Sequence, residues 1–152
     1  MPEADLRSAV LDAEYTSLIS AVGAALDGAP DGVDRLVVAG DAYIAWALEH
    51  PGAYQLLFES DDELPATRAE HEPRLQRRIV ELAHRVDPQA PFAAALLLWS
   101  AWHGVVSLRL HKTEWDWVMT PHQANRRLVA ALTTRHSSQK SSAENGSQHH
   151  EP

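Results

Sequence analysis

The chain has 152 residues, of which 45% are hydrophobic, and carries a formal net charge of −8 at pH 7. This length suits one domain with a real core. The absence of cysteine excludes disulfides, thiolate metal sites and cysteine nucleophiles. The acidic balance argues against direct nucleic-acid binding, which draws its affinity from lysine and arginine placed against phosphates.

Hydrophobic periodicity predicts six helices, because apolar residues recur at the three- and four-residue spacing of one helix face. The first covers about 5–26 and has two apolar flanks, one beginning at Leu6 and Val10 and one at Leu11 and Tyr15. Residues 27–30 end it with a glycine and a proline. Asp31 is the expected N-cap of the second helix, which runs to about 49. A short third helix is expected over 51–58.

Residues 59–72 are predicted to form an acidic loop, either plainly solvated or acting as an entrance that attracts cationic ligands. The fourth helix is expected to begin near Pro73, because proline needs no amide hydrogen at a helix start. Asp87 is the expected N-cap of the fifth helix, with Pro88 at its first position. Arg109 and residues 111–112 suit the negative end of that helix.

The last helix is predicted to begin with a capping box, in which Gln123 follows Thr120 by three residues. It is expected to end near 135. Residues 136–152 contain no large apolar side chain and are expected to form a disordered tail. The predicted fold is therefore all-α, a single helical bundle of about six helices over 1–135.

No targeting or membrane segment is expected. The N-terminal residues show no basic region followed by an apolar run. The longest apolar stretch, 91–106, is interrupted by polar residues and falls short of the roughly 20 residues that a membrane span needs. We therefore expect a cytoplasmic protein without membrane contact.

Two segments carry a resemblance to a known family. The first is Trp102-His103-Gly104 on the predicted fifth helix. The second is the stretch 43–58, in which a helix ending in His50-Pro51 is followed by a short helix with a tyrosine and a final phenylalanine. In this order they resemble the C-terminal domain of a subgroup of TetR-family transcriptional regulators. The likeness covers about 6–134.

The resemblance implies a ligand-sensing and dimerisation domain of a repressor, with a small hydrophobic effector that controls operator release. It also implies a homodimer, in which the last two helices of each subunit form a four-helix interface. DNA would be contacted only through a helix-turn-helix domain, which we expect to be absent because the chain begins at the helix that would follow it. The alternative is a headless interaction module that forms dimers with an intact regulator without sensing a ligand.

Aromatic residues of the two segments, with one histidine, are the candidate ligand-binding set. Ligand pockets are mostly apolar with a few polar groups that orient the ligand. The alternative is that these are ordinary core aromatics, and that His103 bonds a backbone carbonyl or Ser107. The candidates are Tyr43, Trp46, Tyr54, Phe58, Trp99, Trp102 and His103.

A helix that is apolar on nearly every side has to be covered on every side, as the fifth helix is over 92–110. Gly104 and Ala101 would allow a neighbouring helix to approach closely. Trp115 and Trp117, in the loop that follows, would either cap the dimer or be partly exposed. The candidate dimer residues are Ala101, Gly104, Val105, Leu108, Ala124, Leu128, Ala131 and Leu132.

No enzyme, cofactor or metal site is expected. Ser100, His103 and Ser107 share one helical stripe, which suggests a serine nucleophile with a histidine base. The chain has no glycine-flanked nucleophile turn or oxyanion-hole segment beside them. The histidines lie on different elements and never at the spacing of four on a helix, so a dedicated metal site is not expected.

Overall fold

The computed structural model describes residues 2–30, 34–60 and 65–146, and every regular element among them is helical. The predicted all-α bundle is therefore confirmed. The short third helix continues into one π-helical turn, which we call the π turn. The elements are α1 (Pro2–Asp27), α2 (Arg35–Glu49), α3 (Pro51–Tyr54), the π turn (Gln55–Glu59), α4 (Pro65–Ala83), α5 (Pro91–His111) and α6 (Pro121–Gly146).

Helix α2 lies at the centre of the bundle, against α1, α4, α5 and α6. Its buried residues point in several directions, so neighbours cover more than one of its faces. They are Leu36, Ala39, Gly40, Tyr43, Ile44, Trp46 and Ala47. Because of this central place, and because α3 also packs against it, a displacement of α2 would disturb the packing of five other helices.

The N-cap of α2 lies three residues after the predicted cap. Asp31 falls outside the described residues, and Asp34 is the N-cap, with its side chain accepting a hydrogen bond from the Leu36 amide at 2.9 Å. The Arg35 guanidinium donates to the Leu26 carbonyl at 3.2 Å. This bond fastens the start of α2 to the end of α1.

Helix α1 buries only one of its two predicted flanks. Leu6 and Val10 are 67% and 41% exposed, so the flank that they begin is not a core face. Buried residues recur every three or four positions on the other flank, at Leu11, Tyr15, Leu18, Val22 and Leu26. The larger side chains of this flank explain the outcome, because they bury more apolar area than the alanines opposite.

Helix α4 corrects the predicted acidic loop over 59–72. It begins at Pro65, so Pro73 lies inside the helix rather than at its start, and residues 61–64 are outside the described part of the chain. Residues 66–72 contain neither glycine nor proline. Proline is tolerated at a helix start, and Pro65 meets that condition eight residues earlier than Pro73 does.

Helix α5 also starts later than predicted. Asp87 accepts bonds from the amides of Gln89 and Ala90, at 2.9 and 3.0 Å, and so closes a turn ahead of the helix. Ala90 is the N-cap and Pro91 holds the first helical position. A helix starting at Pro88 would place Pro91 where the first intrahelical amide bond is made, and proline has no hydrogen to donate.

The predicted capping box at the start of α6 is confirmed. The Gln123 amide donates to Thr120 Oγ1 at 3.2 Å, and the Thr120 amide donates to Gln123 Oε1 at 2.9 Å. The predicted end near 135 is wrong, because α6 continues to Gly146. Extending an existing helix is easier than nucleating one, so 136–146 needs no apolar face to be helical. The domain boundary at 135 stays a prediction.

A buried polar joint connects α2, α5 and α6. Asn125 is fully buried; its amide donates to the Val37 carbonyl and to Asp41 Oδ1, both at 2.8 Å. Trp102 Nε1 donates to Asn125 Oδ1 at 2.8 Å. The His122 ring bonds the other oxygen of Asp41. Buried polar groups are stable only when paired, so these bonds fix how the three helices meet.

Within the described part of the chain, two helices are long and apolar enough to cross a membrane on length and composition alone, over Asp5–Asp27 and Pro91–His111. The stretch over 91–106 was expected to be too short to span a membrane, but the helix that contains it continues to His111 and is long enough. Core helices of soluble proteins pass the same test. Both helices contribute to one core here, α1 against α2 and α4, and α5 against α2, α4 and α6.

Replacing Gly40 by alanine tests the close packing at this joint. A Cβ there would lie 2.6 Å from Trp102 Nε1 and closer still to Asn125 Oδ1. We expect Gly40→Ala to lower the free energy of unfolding, measured by urea denaturation, by about 1–3 kcal/mol, the usual range for overpacking. Gly23→Ala is the control, because the nearest atom would lie 3.8 Å away and alanine is the better helix former. Equal stabilities for the two variants would contradict the packing.

Candidate functional site

His103 on α5 lies between two tyrosine hydroxyls. Its Nε2 is 3.2 Å from the Tyr43 hydroxyl on α2, and its Nδ1 is 2.6 Å from the Tyr54 hydroxyl at the end of α3. Trp99 Nε1 donates to the same Tyr43 oxygen at 3.3 Å. Both ring nitrogens of His103 are thus engaged. The bonds join α2, α3 and α5 at one point, which we call the histidine cluster (Tyr43, Tyr54, Trp99 and His103).

The surroundings of this cluster disfavour charge of either sign. Burial lowers the pKa of His103 below its usual value, more than the nearby negative charge of Glu59 raises it. Burial also raises the pKa of Tyr43 and of Tyr54 well above the usual value of a phenol. Desolvation disfavours the charged form of each group. At neutral pH His103 is therefore a neutral imidazole, with one nitrogen donating and the other accepting.

Aromatic rings surround the imidazole on its other sides. Phe58 meets it edge to face, with centroids 4.9 Å apart, and Trp99 lies beside it at 5.6 Å. Phe58 also contacts Tyr15 of α1 edge to face at 6.0 Å. Such arrangements stabilise aromatic pairs beyond the area that they bury. The π turn brings Phe58 into this group, and π-helical turns are frequent at functional sites.

A cavity of about 270 Å³ opens beside the cluster. Three elements form its wall, namely α1, the π turn and α5. Leu96 and Ser100, both exposed, lie at its rim. The lining residues are Tyr15, Leu57, Phe58, Leu96, Trp99, Ser100 and His103. Aromatic rings from Tyr15, Phe58, Trp99 and His103 make up much of this wall, and small-molecule sites are typically concave with aromatic walls and some polar groups that orient the ligand.

Glu59 fixes the end of the π turn to α5. Its two carboxylate oxygens accept bonds from Ser107 Oγ and His111 Nε2, both at 2.8 Å. Burial acts to raise the pKa of Glu59, but these bonds outweigh it and the pKa is lowered. The carboxylate is therefore ionised and already satisfied by α5, so it serves to hold the cavity wall in place.

The candidate ligand residues fall into three groups. Phe58, Trp99 and His103 line the cavity, while Tyr43 and Tyr54 bond His103 from behind it. Trp46 donates to Ser17 Oγ of α1 at 3.0 Å and stacks on His50. Trp102 donates to Asn125 of α6. Buried indoles need a partner for their N–H, and these two tryptophans find theirs at helix junctions.

The candidate dimer residues lie on α5 and α6, mostly away from the core. A Cβ on Gly104 would have no atom within 4 Å, and Leu108 is 43% exposed. Ala101, Ala124 and Leu128 are half-buried and Ala131 is exposed. Val105 and Leu132 pack against the core of their own chain. The role of this face as a dimer interface stays a prediction.

The loop between α5 and α6 places one tryptophan against α5 and leaves the other exposed. Arg109 lies over the Trp117 ring, 4.4 Å from its centroid, and donates to the Met119 carbonyl at 2.8 Å. Trp115 is 54% exposed and Val118 is 87% exposed. The loop thus adds apolar surface next to the C-terminal end of α5.

The geometry argues against a serine nucleophile. Both nitrogens of His103 bond tyrosines, so the expectation that His103 bonds a carbonyl or Ser107 is wrong. Ser107 bonds Glu59 instead. Over residues 2–30, 34–60 and 65–146, no three or more histidine, aspartate or glutamate side chains form a group able to hold a metal ion. The expected absence of enzyme activity stays a prediction.

Several residues of the site were not among the sequence candidates. Tyr15 and Leu96 line the cavity, and Asn125 holds Trp102. Tyr15 is a large residue on the apolar flank of α1, which was a usable signal. Asn125 precedes Val129 by four positions on α6, and both are buried, so they share one helix face. Hydrophobic periodicity misses this face because asparagine is polar. Tertiary contacts alone identify Leu96.

The low pKa of His103 predicts a pH dependence of stability. The unfolded chain takes up a proton near the usual value of 6.5, before the folded chain does, so stability present above that pH is lost as the pH falls through it. We expect urea denaturation to show a loss from about pH 7.5 to about pH 5.5. His103→Gln, which does not titrate, should lose less over the same window.

Glu59 does not confuse that comparison. Its pKa is lowered from 4.5, so its contribution is lost in a more acidic range. Identical pH slopes for the wild type and His103→Gln would contradict a neutral, buried His103.

Comparison with known proteins agrees with this architecture. A family model described as "Tetracyclin repressor-like, C-terminal domain" matches residues 36–132, which is well over half of the chain. The match begins in α2 and ends in α6, so it includes the histidine cluster and its helix junctions. No curated protein and no solved structure matches the chain significantly. The chain belongs to the family of tetracyclin repressor-like C-terminal domains, as its likeness to TetR-type regulators predicted.

Proposed function

We propose that the chain is the ligand-sensing and dimerisation domain of a TetR-type transcriptional repressor, and that it binds a small hydrophobic effector beside His103. The observation that carries the proposal is the cavity of about 270 Å³ against the histidine cluster. Family membership supports it, because domains of this type serve regulators in ligand binding and dimerisation. Such a protein works in the cytoplasm, where its operator is.

The cavity wall suggests how an effector would act. A ligand there touches α1 through Tyr15 and α5 through Trp99 and His103. Since His103 is hydrogen-bonded to Tyr43, a ligand that displaces the imidazole would also displace α2. In a complete repressor, a shift of α1 and α2 would change the separation of two DNA-reading heads and release the operator. The shift can be no larger than the ligand's difference in affinity for the two states allows.

The exposed face of α5 supports a homodimer. Leu97, Ala101, Gly104 and Leu108 follow one another at helical spacing, and the two leucines are 58% and 43% exposed. The two small residues between them let a second helix come close. A contiguous apolar strip of this kind marks an interaction site when it is not covered within the chain. A second copy, with α5 and α6 of each subunit in a four-helix interface, would cover it.

DNA contact belongs to another unit of such a regulator. The net charge of −8 does not favour binding to phosphates. An interaction module that dimerises with an intact regulator, and senses no ligand, would share the exposed α5 face but would not need the cavity. Ligand binding therefore separates the two functions.

The ligand site is tested with toluene, a small apolar probe. We expect saturating toluene to raise the melting temperature of the wild type, because a ligand that binds only the folded state stabilises it. Ser100→Phe places a ring at the cavity rim and should abolish that rise. Ser20→Phe, at an exposed serine of α1, is the matched control and should keep it. If toluene leaves the melting temperature of the wild type unchanged, the proposed site is wrong.

The dimer is tested by light scattering across a tenfold dilution. The wild type should show the mass of two chains, and Leu97→Glu or Leu108→Glu should show the mass of one, because a buried unpaired charge is strongly disfavoured. Leu6→Glu, at a leucine of α1 that is 67% exposed, should leave the dimer intact. A wild type that is monomeric at every concentration would contradict the interface.

A further inference from the structure

We propose that Tyr43 and Tyr54 determine the ligand specificity of the cavity. They engage both nitrogens of His103, and the cavity wall therefore favours uncharged, largely apolar molecules. The ligand's one polar group would lie at the Ser100 end. This inference rests on the proposed function and adds the charge class of the effector and the residues that select it.

The first step is the engagement of the polar atoms in the wall. His103 contributes its ring to the cavity, yet its two nitrogens face tyrosine hydroxyls at 3.2 and 2.6 Å. The indole N–H of Trp99, also in the wall, donates to Tyr43. These two residues therefore present ring faces and edges to a ligand. The Ser100 hydroxyl, at the exposed rim, is placed to bond a polar atom of the ligand.

The second step is the electrostatic character of the place. The shifted pKa values of the cluster show that this place disfavours charge. Burial disfavours the cationic form of His103 and the anionic forms of Tyr43 and Tyr54. Glu59 is the carboxylate whose charge acts on His103 among the described residues, and it already accepts bonds from Ser107 and His111. The residues that line the cavity include no aspartate, glutamate, lysine or arginine, so a charged ligand that loses its hydration against them gains no partner of opposite charge from this lining, which is costly.

The third step is size and shape. The volume of about 270 Å³ lies just below the usual range for small-molecule pockets, roughly 300–1,000 Å³, so the cavity suits a small ligand. Phe58 and Trp99 are nearly perpendicular, with an interplanar angle of 86°. A small ring compound can therefore stack on one ring while it meets the edge of the other.

The test uses four probes of one size: toluene, benzyl alcohol, benzoate and the benzylammonium ion. Dissociation constants are measured by calorimetry at neutral pH. We expect the two uncharged probes to bind the wild type at least about tenfold more tightly than either ion, a difference of about 1.4 kcal/mol. Benzyl alcohol should bind more tightly than toluene, and Ser100→Ala should remove that advantage.

Two variants test the role of the tyrosines. Tyr54→Phe releases Nδ1 of His103 and Tyr43→Phe releases Nε2, while each keeps its ring. A released nitrogen can carry the ring hydrogen and donate it to a ligand, and such a bond is stronger to a carboxylate than to a hydroxyl. Benzoate should therefore gain affinity relative to benzyl alcohol in both variants, but not in the wild type. Leu57→Val is the control, because it alters the wall and leaves both tyrosine hydroxyls in place. Circular dichroism confirms that each variant is folded.

The outcomes separate this inference from the proposed function. If toluene and benzyl alcohol both fail to bind, the cavity is not a ligand site and both proposals fall. If an ion binds the wild type as tightly as benzyl alcohol, the site senses ligands but the charge selection is wrong. If the tyrosine variants keep the wild-type preference at every pH, Tyr43 and Tyr54 are not its determinants. A wild-type preference for uncharged probes that both variants lose supports the inference.

Discussion

The geometry of the site depends on the two hydrogen bonds that hold His103 between Tyr43 and Tyr54. They join α5 to α2 and to the end of α3, and burial keeps the imidazole between them neutral at neutral pH. Tyr43 also packs against Trp102, 6.0 Å away between centroids, and Trp102 bonds Asn125 of α6. The cavity and the outer helices are therefore linked through a few side chains with defined partners.

Helix α5 is apolar on three sides, and each side lies in a different environment. Its core strip, which includes Leu98, Trp102 and Val106, is buried by α2 and its neighbours. A second strip, through Trp99 and His103, faces the cavity. A third strip, through Leu97 and Leu108, is exposed. We interpret the three strips as facing the core, an effector and a second subunit, which gives a physical reason for a helix with no polar side.

Periodicity predicted the number of helices and most of their faces, because burial of apolar area repeats with the helical turn. It misplaced the starts of α4 and α5, because each has two prolines near its start and either could hold the first helical position. Helix α4 begins at Pro65 rather than Pro73, and α5 begins at Pro91 rather than Pro88. The tryptophans show the other limit. Sequence placed Trp46 and Trp99 in one candidate set, but their N–H partners, Ser17 and Tyr43, depend on tertiary contacts 29 and 56 residues away in the chain.

The most direct test of this account is the protonation state of His103, read from the nitrogen shifts of its ring by NMR across a pH titration. Burial predicts a neutral ring, and the two tyrosine bonds hold it in place, so separate shifts of one protonated and one unprotonated nitrogen should persist below the usual pKa of 6.5. Averaged shifts that titrate near 6.5 would show an imidazole that exchanges freely with solvent. That result would contradict the neutral, fully engaged histidine on which the cavity and its link to α2 depend.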